Sequence, residues 1–117
     1  MNDDKPYHVL KKISETISES INRVALFGLA FKANIDDFRE SPSLQIAKEL
    51  LKNHKIELCA VEPNFSGNNL DGIPIVDIDT AIKNSDVIVM LVDHREFFDV
   101  PVPQNKTIID TRGVWVR

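Results

Sequence analysis

Hydrophobic residues recur along this chain in two different patterns. In residues 6–22 they fall at helical spacing and form one stripe, made of Val9, Leu10, Ile13, Ile17 and Ile21. The opposite side of that segment is polar, so we predict an amphipathic helix there. Residues 24–31 are instead almost uninterruptedly apolar. That pattern is typical of a central parallel strand that is covered on both faces.

The two patterns alternate through the rest of the chain. Ser41 and Pro42 are a favoured N-cap and first helical residue, and the periodicity after them predicts a helix that ends near His54. Further strands are predicted at 56–61, 73–76, 86–92 and 107–110, with a brief helix capped by Asp77 or Asp79 before the third of these. We therefore expect an α/β fold: a three-layer α/β/α Rossmann-like domain with about five mostly parallel strands, preceded by an N-terminal amphipathic helix.

Composition limits the class of protein. The 117 residues suffice for one compact domain, and 43% hydrophobic with 27% charged residues is ordinary for a globular chain. No apolar run approaches the roughly 20 residues that span a bilayer. The net charge of −4 argues against a general nucleic-acid binder, which needs a basic face. The polar first residues do not resemble a signal or transit peptide, so we expect a cytoplasmic protein with neither nucleic acid nor membrane as partner.

Several residues with potential chemistry have a plainer structural interpretation. Cys59 lies in a predicted strand, so we interpret it as a small buried core residue and not as a nucleophile. No serine or cysteine nucleophile is placed to use His94, which we predict to be a hydrogen-bonded loop histidine. Asp36, Asp37 and Glu40 are interleaved with cations, and we predict loop scaffolding there and no metal site. No catalytic residue is predicted in this chain.

Three cations are harder to dismiss. Lys32 follows the first predicted strand, Arg39 stands two residues before Ser41, and Arg112 follows the last strand. Because open α/β sheets bind ligands beyond the carboxyl ends of their strands, we expect these cations at one rim, beside a helix N-terminus that also favours anions. The simplest guest is a phosphate-bearing molecule. The plainer alternatives are a solvated Lys32 and an Arg39 that pairs with a neighbouring aspartate.

A complete dinucleotide site is missing from the sequence. Such a site would show G-x-G-x-x-G after a strand, but the first strand here carries only Gly28. We therefore expect that this chain does not hold NAD by itself. Phe31, Phe38 and Trp115 could stack on a base, although core packing is the commoner fate of an aromatic side chain.

Four blocks of the chain resemble the C-terminal, UDP-binding domain of the UDP-glucose/GDP-mannose dehydrogenase family. They are GLAFKANIDDFRESP at 28–42, Val-Glu-Pro at 61–63, residues 85–94, and residues 109–115. The blocks occur in the order and spacing of the family, and the resemblance spans nearly the whole chain from Arg23 to Trp115. Within the family, His94 and the Gly-Val-Trp at 113–115 are most similar to UDP-N-acetyl-D-mannosamine dehydrogenase, since UDP-glucose dehydrogenases tend to carry tryptophan in place of His94.

The resemblance implies an NAD-dependent UDP-sugar 6-dehydrogenase. It implies oxidation of UDP-N-acetyl-D-mannosamine to UDP-N-acetyl-D-mannosaminuronate, in two steps with two NAD+, for surface polysaccharide synthesis. Residues 23–117 would be the UDP-sugar-binding C-terminal domain, and 1–22 the tail of the central helical domain. Carried over by position, Phe31, Lys32 and Arg112 would contact the UDP-sugar, and Arg39 would reach towards NAD on the other domain.

The resemblance also implies how the parent enzyme is divided. An N-terminal domain would hold most of the NAD and supply the catalytic cysteine, which Cys59 does not match. A central helical domain would make a homo-oligomer. This chain alone is then expected to bind UDP without turnover.

Two other interpretations remain open at this point. One is a stand-alone flavodoxin-like regulatory module, such as a phosphoacceptor receiver. That class needs carboxylates at the ends of its first and third strands to hold Mg2+, whereas the first predicted strand ends in Phe31 and Lys32. The other is a scaffold domain that associates through its first helix.

Overall fold

The computed structural model describes residues 5–17, 22–30 and 41–115, with side chains from residue 8 onward. Its elements are, in chain order, α1 (Lys5–Thr16), β1 (Asn22–Phe27), α2 (Pro42–Leu51), β2 (Ile56–Val61), β3 (Asn69–Leu70), β4 (Ile73–Pro74), α3 (Ile78–Asn84), β5 (Val87–Met90), α4 (Arg95–Phe98) and β6 (Thr107–Asp110). A helix separates each pair of consecutive strands of the main sheet, as the sequence predicts, and the short β3 and β4 follow β2 directly.

One parallel sheet organises the domain. Its strand order is β2-β1-β5-β6, and each neighbouring pair is parallel. The chain adds β2 on one side of β1 and later adds β5 on the other side, so the order reverses between β1 and β5. In open α/β sheets ligands bind at such a switch point. The predicted Rossmann-like α/β/α fold is confirmed.

The segment 73–76, which the sequence predicts as an edge strand, takes part in two separate pairings. β4 pairs with β3 in a short antiparallel ribbon. Ile75 then forms a parallel bridge with Ala60, and the Val76 N–H donates to the Ala60 carbonyl at 2.9 Å. Pro74 has no N–H to donate, which is why a regular strand does not continue through this segment.

Both faces of the sheet are buried. Val24 and Leu26 of β1 pack with α1 and α2 on one face, whereas Ala25 and Phe27 pack with α3 and α4 on the other. Side chains alternate along a strand, so a strand with two buried faces needs apolar residues at every position. This explains the uninterrupted apolar run in the sequence.

The first helix is shorter than predicted. α1 buries Val9 and Ile13 against the sheet, as its apolar stripe predicts, but it ends at Thr16. Residues 18–21 lie outside the described part of the chain. Asn22, the predicted end of the helix, instead begins β1, because its N–H donates to the Lys55 carbonyl at 2.8 Å and joins the ladder with β2.

The first strand also ends early. The apolar run predicts a strand that reaches Phe31, but Gly28 has a φ of 100° and turns the chain out of the sheet after Phe27. The Gly28 N–H donates to the Val61 carbonyl at 2.8 Å, so the turn stays attached to the end of β2. Glycine tolerates this positive φ because it has no Cβ.

Polar caps start the next two helices. Ser41 has extended backbone angles, and its Oγ accepts the Leu44 N–H at 3.2 Å. Asp77 rather than Asp79 caps α3, since its carboxylate accepts the Thr80 N–H at 2.7 Å.

Within the described ranges, no helix is long and apolar enough to cross a bilayer.

We expect Gly28→Ala to lower the free energy of unfolding by about 3 kcal/mol or more, measured by urea denaturation. An added Cβ would lie 2.5 Å from Val92 Cβ, and the positive φ adds about 1–2 kcal/mol of strain to this overpacking. Gly113→Ala is the matched control. Its φ of 72° is also positive, but nothing lies within 4 Å of the added Cβ, so we expect a loss of about 1 kcal/mol. Equal losses in the two variants would contradict the close packing at Gly28.

Candidate functional site

The carboxyl ends of the four parallel strands meet at one edge of the sheet, which we call the carboxyl edge. The described segments that leave it are 28–30 after β1, 62–64 after β2, 91–94 after β5 and 111–113 after β6. This edge contains the switch point, so a ligand site is expected here.

The structure places one of the four predicted site residues. Arg112 lies at the carboxyl edge directly after β6 and is exposed. Phe31, Lys32 and Arg39 lie outside the described residues. The convergence of the three cations on one rim therefore stays a prediction.

A single carboxylate holds the turn that carries Arg112. Oδ1 of Asp110 accepts the backbone N–H groups of Arg112, Gly113 and Val114 at 3.1, 2.8 and 3.2 Å, and Oδ2 accepts that of Trp115 at 2.8 Å. Partial burial raises the pKa of Asp110, but these N–H groups outweigh that effect and hold the pKa below its ordinary value. Asp110 is thus an ionised hub for the turn.

The same turn is tied to β5. Thr111 Oγ donates to the Met90 carbonyl at 2.7 Å, and Arg112 Nε donates to the Leu91 carbonyl at 3.1 Å. A guanidinium has five N–H donors in a planar fork. One of them fixes Arg112 against the sheet, and the planar group keeps further donors with which to meet a phosphate.

A second carboxylate, Glu62, is buried at the centre of the edge. Its Oε1 accepts the N–H groups of Leu29 and Ala30 at 2.7 and 3.1 Å, and its Oε2 accepts that of Asn64 at 3.0 Å. His94 Nε2 lies 2.9 Å from Oε1, and both side chains are fully buried. One carboxylate therefore joins the segments that leave β1, β2 and β5.

Hydrogen bonding decides the charge state of Glu62. Burial raises the pKa of this carboxyl, but hydrogen bonds from His94, Leu29 and Asn64 together lower the pKa by more than burial raises it. The net pKa is therefore below its ordinary value. Asn64 Nδ2 lies 3.2 Å from His94 Nδ1. Because the Asn64 amide nitrogen is a donor, His94 Nδ1 accepts this bond, and the ring proton is on Nε2, from which it is donated to Glu62. The predicted hydrogen-bonded histidine at position 94 is confirmed.

Ser41 connects the start of α2 to the exit of β1. Its hydroxyl donates to the Leu29 carbonyl at 2.8 Å while accepting the Leu44 N–H. Leu29 is therefore held on both sides, by Glu62 at its N–H and by Ser41 at its carbonyl. The described residues at either end of segment 31–40 are in this way bonded to each other.

A cleft beside the end of β2 is unsuited to phosphate. It has a volume of about 780 Å³, and five acidic residues are in its lining: Glu62, Asp77, Asp79, Glu96 and Asp99. Carboxylates at this density repel an anion, so we expect phosphates on the Arg112 side of the carboxyl edge.

Two further predictions concern residues outside the carboxyl edge, Cys59 and Trp115. Cys59 is only half-buried, beside a cavity of about 390 Å³ that Arg23 and Glu57 also line, and burial raises the pKa of its thiol. A raised pKa disfavours the thiolate, the form in which a cysteine acts as a nucleophile. Trp115 is in the core, packed edge-on against Phe27, so it does not offer a stacking surface.

Sequence reasoning missed Glu62 and Asp110. Each is an acidic residue at the last position of an apolar strand or directly after it. An aspartate followed by turn residues is a known signal for side-chain capping of backbone N–H groups, and it was available at Asp110. Asn64 is a local partner of Glu62, but Leu29, Ala30 and His94 lie more than 30 positions away in sequence, so no local pattern could identify them.

Comparison with known proteins decides the family. Residues 25–117 match the model of the UDP-glucose/GDP-mannose dehydrogenase family, UDP binding domain. The chain belongs to this family. The four sequence blocks that resemble it, and the placement of Arg112 at the carboxyl edge, agree with the match.

Relatives with similar sequences share an N-acetylated sugar in their names. The UDP-N-acetyl-D-mannosamine dehydrogenase of Salmonella typhi is 38% identical over 98% of this chain, and the NDP-N-acetyl-D-galactosaminuronic acid dehydrogenase of Ralstonia solanacearum is 37% identical over 98%. The chain spans only 31% and 28% of the length of these two relatives.

Solved structures agree with the fold. The UDP-N-acetyl-mannosamine dehydrogenase of Staphylococcus aureus superposes with a TM-score of 0.81 at 31% identity, covering 99% of this chain and 29% of that one. A ternary complex of the GDP-mannose dehydrogenase from Pseudomonas aeruginosa gives a TM-score of 0.82 at 25% identity, covering 99% of this chain and 30% of that one. With the family established, the stand-alone flavodoxin-like module and the scaffold domain have no support.

We expect Glu62→Gln to lower the free energy of unfolding by about 2–4 kcal/mol at pH 7, because an amide N–H2 would face donors inside a buried site. Glu57→Gln, in the strand that leads to Glu62, is the matched control. Glu57 pairs with Arg23 at 3.4 Å with both side chains more than 60% exposed, so its loss should cost under about 0.5 kcal/mol.

The effect of Glu62→Gln should depend on pH. The pKa of Glu62 is lowered in the folded state, so its stabilisation is present above the ordinary value of 4.5 and is lost as pH falls through the lowered value. Denaturation curves should show the wild type and Glu62→Gln converging in acid. A difference that grows as pH falls would contradict an ionised Glu62.

Proposed function

We propose that this chain is the UDP-sugar-binding domain of an NAD-dependent UDP-sugar 6-dehydrogenase, and that its substrate is UDP-N-acetyl-D-mannosamine. The observation that carries the proposal is the family match over residues 25–117, combined with Arg112 fixed at the switch-point edge of the sheet. The product would be UDP-N-acetyl-D-mannosaminuronate, a precursor of surface polysaccharide. Such an enzyme passes two hydrides from the sugar C6 to two NAD+ and takes one oxygen atom from water.

In this proposal residues 23–117 form the UDP-sugar domain, and 1–22 are the tail of a central helical domain. The short share of the relatives that the chain spans supports further domains in the parent enzyme, which we propose to be a cytoplasmic homo-oligomer. The N-acetylated sugars in the names of two relatives favour UDP-N-acetyl-D-mannosamine over UDP-glucose.

Phe31, Lys32 and Arg112 would contact the UDP-sugar, and Arg39 would reach the NAD. The pyrophosphate of UDP carries its charge far from the sugar C6. Cations that bind this remote group can supply the energy that orients the sugar for hydride transfer. Excluding water as the domains close would protect the intermediate between the two oxidations.

The described residues do not fit the pyrophosphate of NAD. In a dinucleotide fold, the backbone N–H groups of the turn after the first strand bind that pyrophosphate. Here the Leu29 and Ala30 N–H groups already donate to Glu62, a buried anion of the protein itself. We therefore assign most NAD binding to another domain of the parent enzyme.

UDP binding is the first test. We expect calorimetry to show that the 117-residue chain binds UDP, and that Arg112→Ala and Lys32→Ala each weaken it at least about tenfold, because each removes a charge-assisted contact to phosphate. Arg23→Ala and Lys52→Ala are the controls. They remove exposed cations from the start of β1 and from the C-terminal end of α2, and they should change the affinity less than twofold. No UDP binding by the wild type would contradict the proposal.

Turnover is the second test. The isolated chain should produce no NADH from UDP-N-acetyl-D-mannosamine and NAD+, because its sequence has no G-x-G-x-x-G motif and none of its described residues is placed as a nucleophile. The full-length parent should produce two NADH per sugar, with a higher kcat/KM for UDP-N-acetyl-D-mannosamine than for UDP-glucose. Preference of the parent for UDP-glucose would contradict the substrate assignment while leaving UDP binding intact.

A further inference from the structure

Arg112 would bind a diphosphate more tightly if its side chain is already held in place at the exposed edge. A free arginine side chain has many rotamers and loses their entropy when a ligand fixes it. The Nε bond to the Leu91 carbonyl reduces that loss by fixing one side of the guanidinium beforehand. This bond in turn requires the Arg112 backbone to start from the right position.

Asp110 fixes that backbone position. The four N–H groups that follow it, from Arg112 to Trp115, all point at one carboxylate. The far end of this turn is anchored in the core, where Val114 is fully buried and Trp115 Nε1 donates to the Val100 carbonyl at 3.1 Å. The turn is therefore held at both ends as well as at its centre.

The same contacts keep the charge of Arg112 from being cancelled by its neighbour. A carboxylate two residues from an arginine could pair with it. Asp110 instead accepts backbone N–H groups, and among the ion pairs of the described residues none joins Asp110 to Arg112. The guanidinium bonds to a neutral carbonyl, so its positive charge is retained for an anion.

We propose that Asp110 is a positioning residue for diphosphate binding: by gathering the N–H groups of 112–115 it holds Arg112 in the pose that binds the phosphates of UDP. The inference rests on the proposed function, since it assumes that Arg112 meets the diphosphate. Asp110 itself does not touch the ligand, and its effect passes through Arg112.

A double-mutant cycle on the 117-residue chain tests this. The affinities for UDP and for uridine, which has no phosphate, are measured by calorimetry in the wild type, Asp110→Asn, Arg112→Ala and the double variant. We expect Asp110→Asn to weaken UDP binding about three- to tenfold, because its amide N–H2 would face the Trp115 N–H and open the turn. In the Arg112→Ala background the same substitution should change UDP affinity less than twofold, and uridine binding should be unchanged throughout.

Asp86→Asn is the matched control for charge. Asp86 also accepts one backbone N–H, that of Arg23 at 3.3 Å, but it precedes β5 and lies at the opposite edge of the sheet. The Asp86→Asn substitution changes the net charge by the same amount as Asp110→Asn, and we expect its UDP affinity to stay within twofold of the wild type. An equal loss in both variants would reduce the Asp110 effect to long-range electrostatics and overturn the inference.

A second variant keeps the test valid if Asp110→Asn unfolds. Gly113→Ala strains the same turn at a φ of 72° without touching any neighbour, and it leaves the Asp110 carboxylate in place. It should also weaken UDP binding only when Arg112 is present. Losses that are the same with and without Arg112, or no loss in either variant, would overturn the positioning role while wild-type UDP binding still supports the proposed function. Absence of UDP binding in the wild type would overturn both.

Discussion

The burial of one carboxylate constrains the whole carboxyl edge. Glu62 accepts four hydrogen bonds, from two residues that leave β1, from its own loop and from the histidine that follows β5. An ionised group can remain buried only if such donors compensate for its lost hydration. Its presence therefore fixes how three strand exits lie relative to one another.

Two carboxylates at this edge have opposite consequences for anion binding. Glu62 occupies the backbone N–H groups of the turn after β1 and so removes the place where a dinucleotide pyrophosphate would bind. Asp110 accepts the N–H groups of the turn after β6 and, in doing so, leaves the adjacent guanidinium available. The same interaction, a carboxylate that accepts the N–H groups of a turn, disfavours anion binding after β1 and leaves a guanidinium available for an anion after β6.

This division suits a domain that binds one part of a large substrate within a larger enzyme. Family members are built around a sheet of this kind, and the chain corresponds to less than a third of their length. The proposed binding of UDP requires a positively charged group at this edge, such as Arg112, and no competing dinucleotide turn. The acidic cleft beside β2 further restricts where phosphates are stable.

The sequence determined the elements that depend on local patterns. The uninterrupted apolar run of β1, the cap at Ser41 and the strands of 56–61 and 107–110 follow from the residues themselves, because periodicity and capping are short-range properties. The blocks around Lys32 and Arg112 likewise indicated the family. Strand and helix ends were less accurate, since Gly28 and Asn22 are placed by bonds to β2 and its preceding loop.

Only the tertiary structure revealed what controls the edge. Glu62 and His94 are separated by 32 residues, and their pairing exists only because parallel strands bring their carboxyl ends together. The bond from Arg112 to the end of β5 has the same origin. Local sequence can show that a residue is charged, but which donors surround that charge depends on the order of the strands in the sheet.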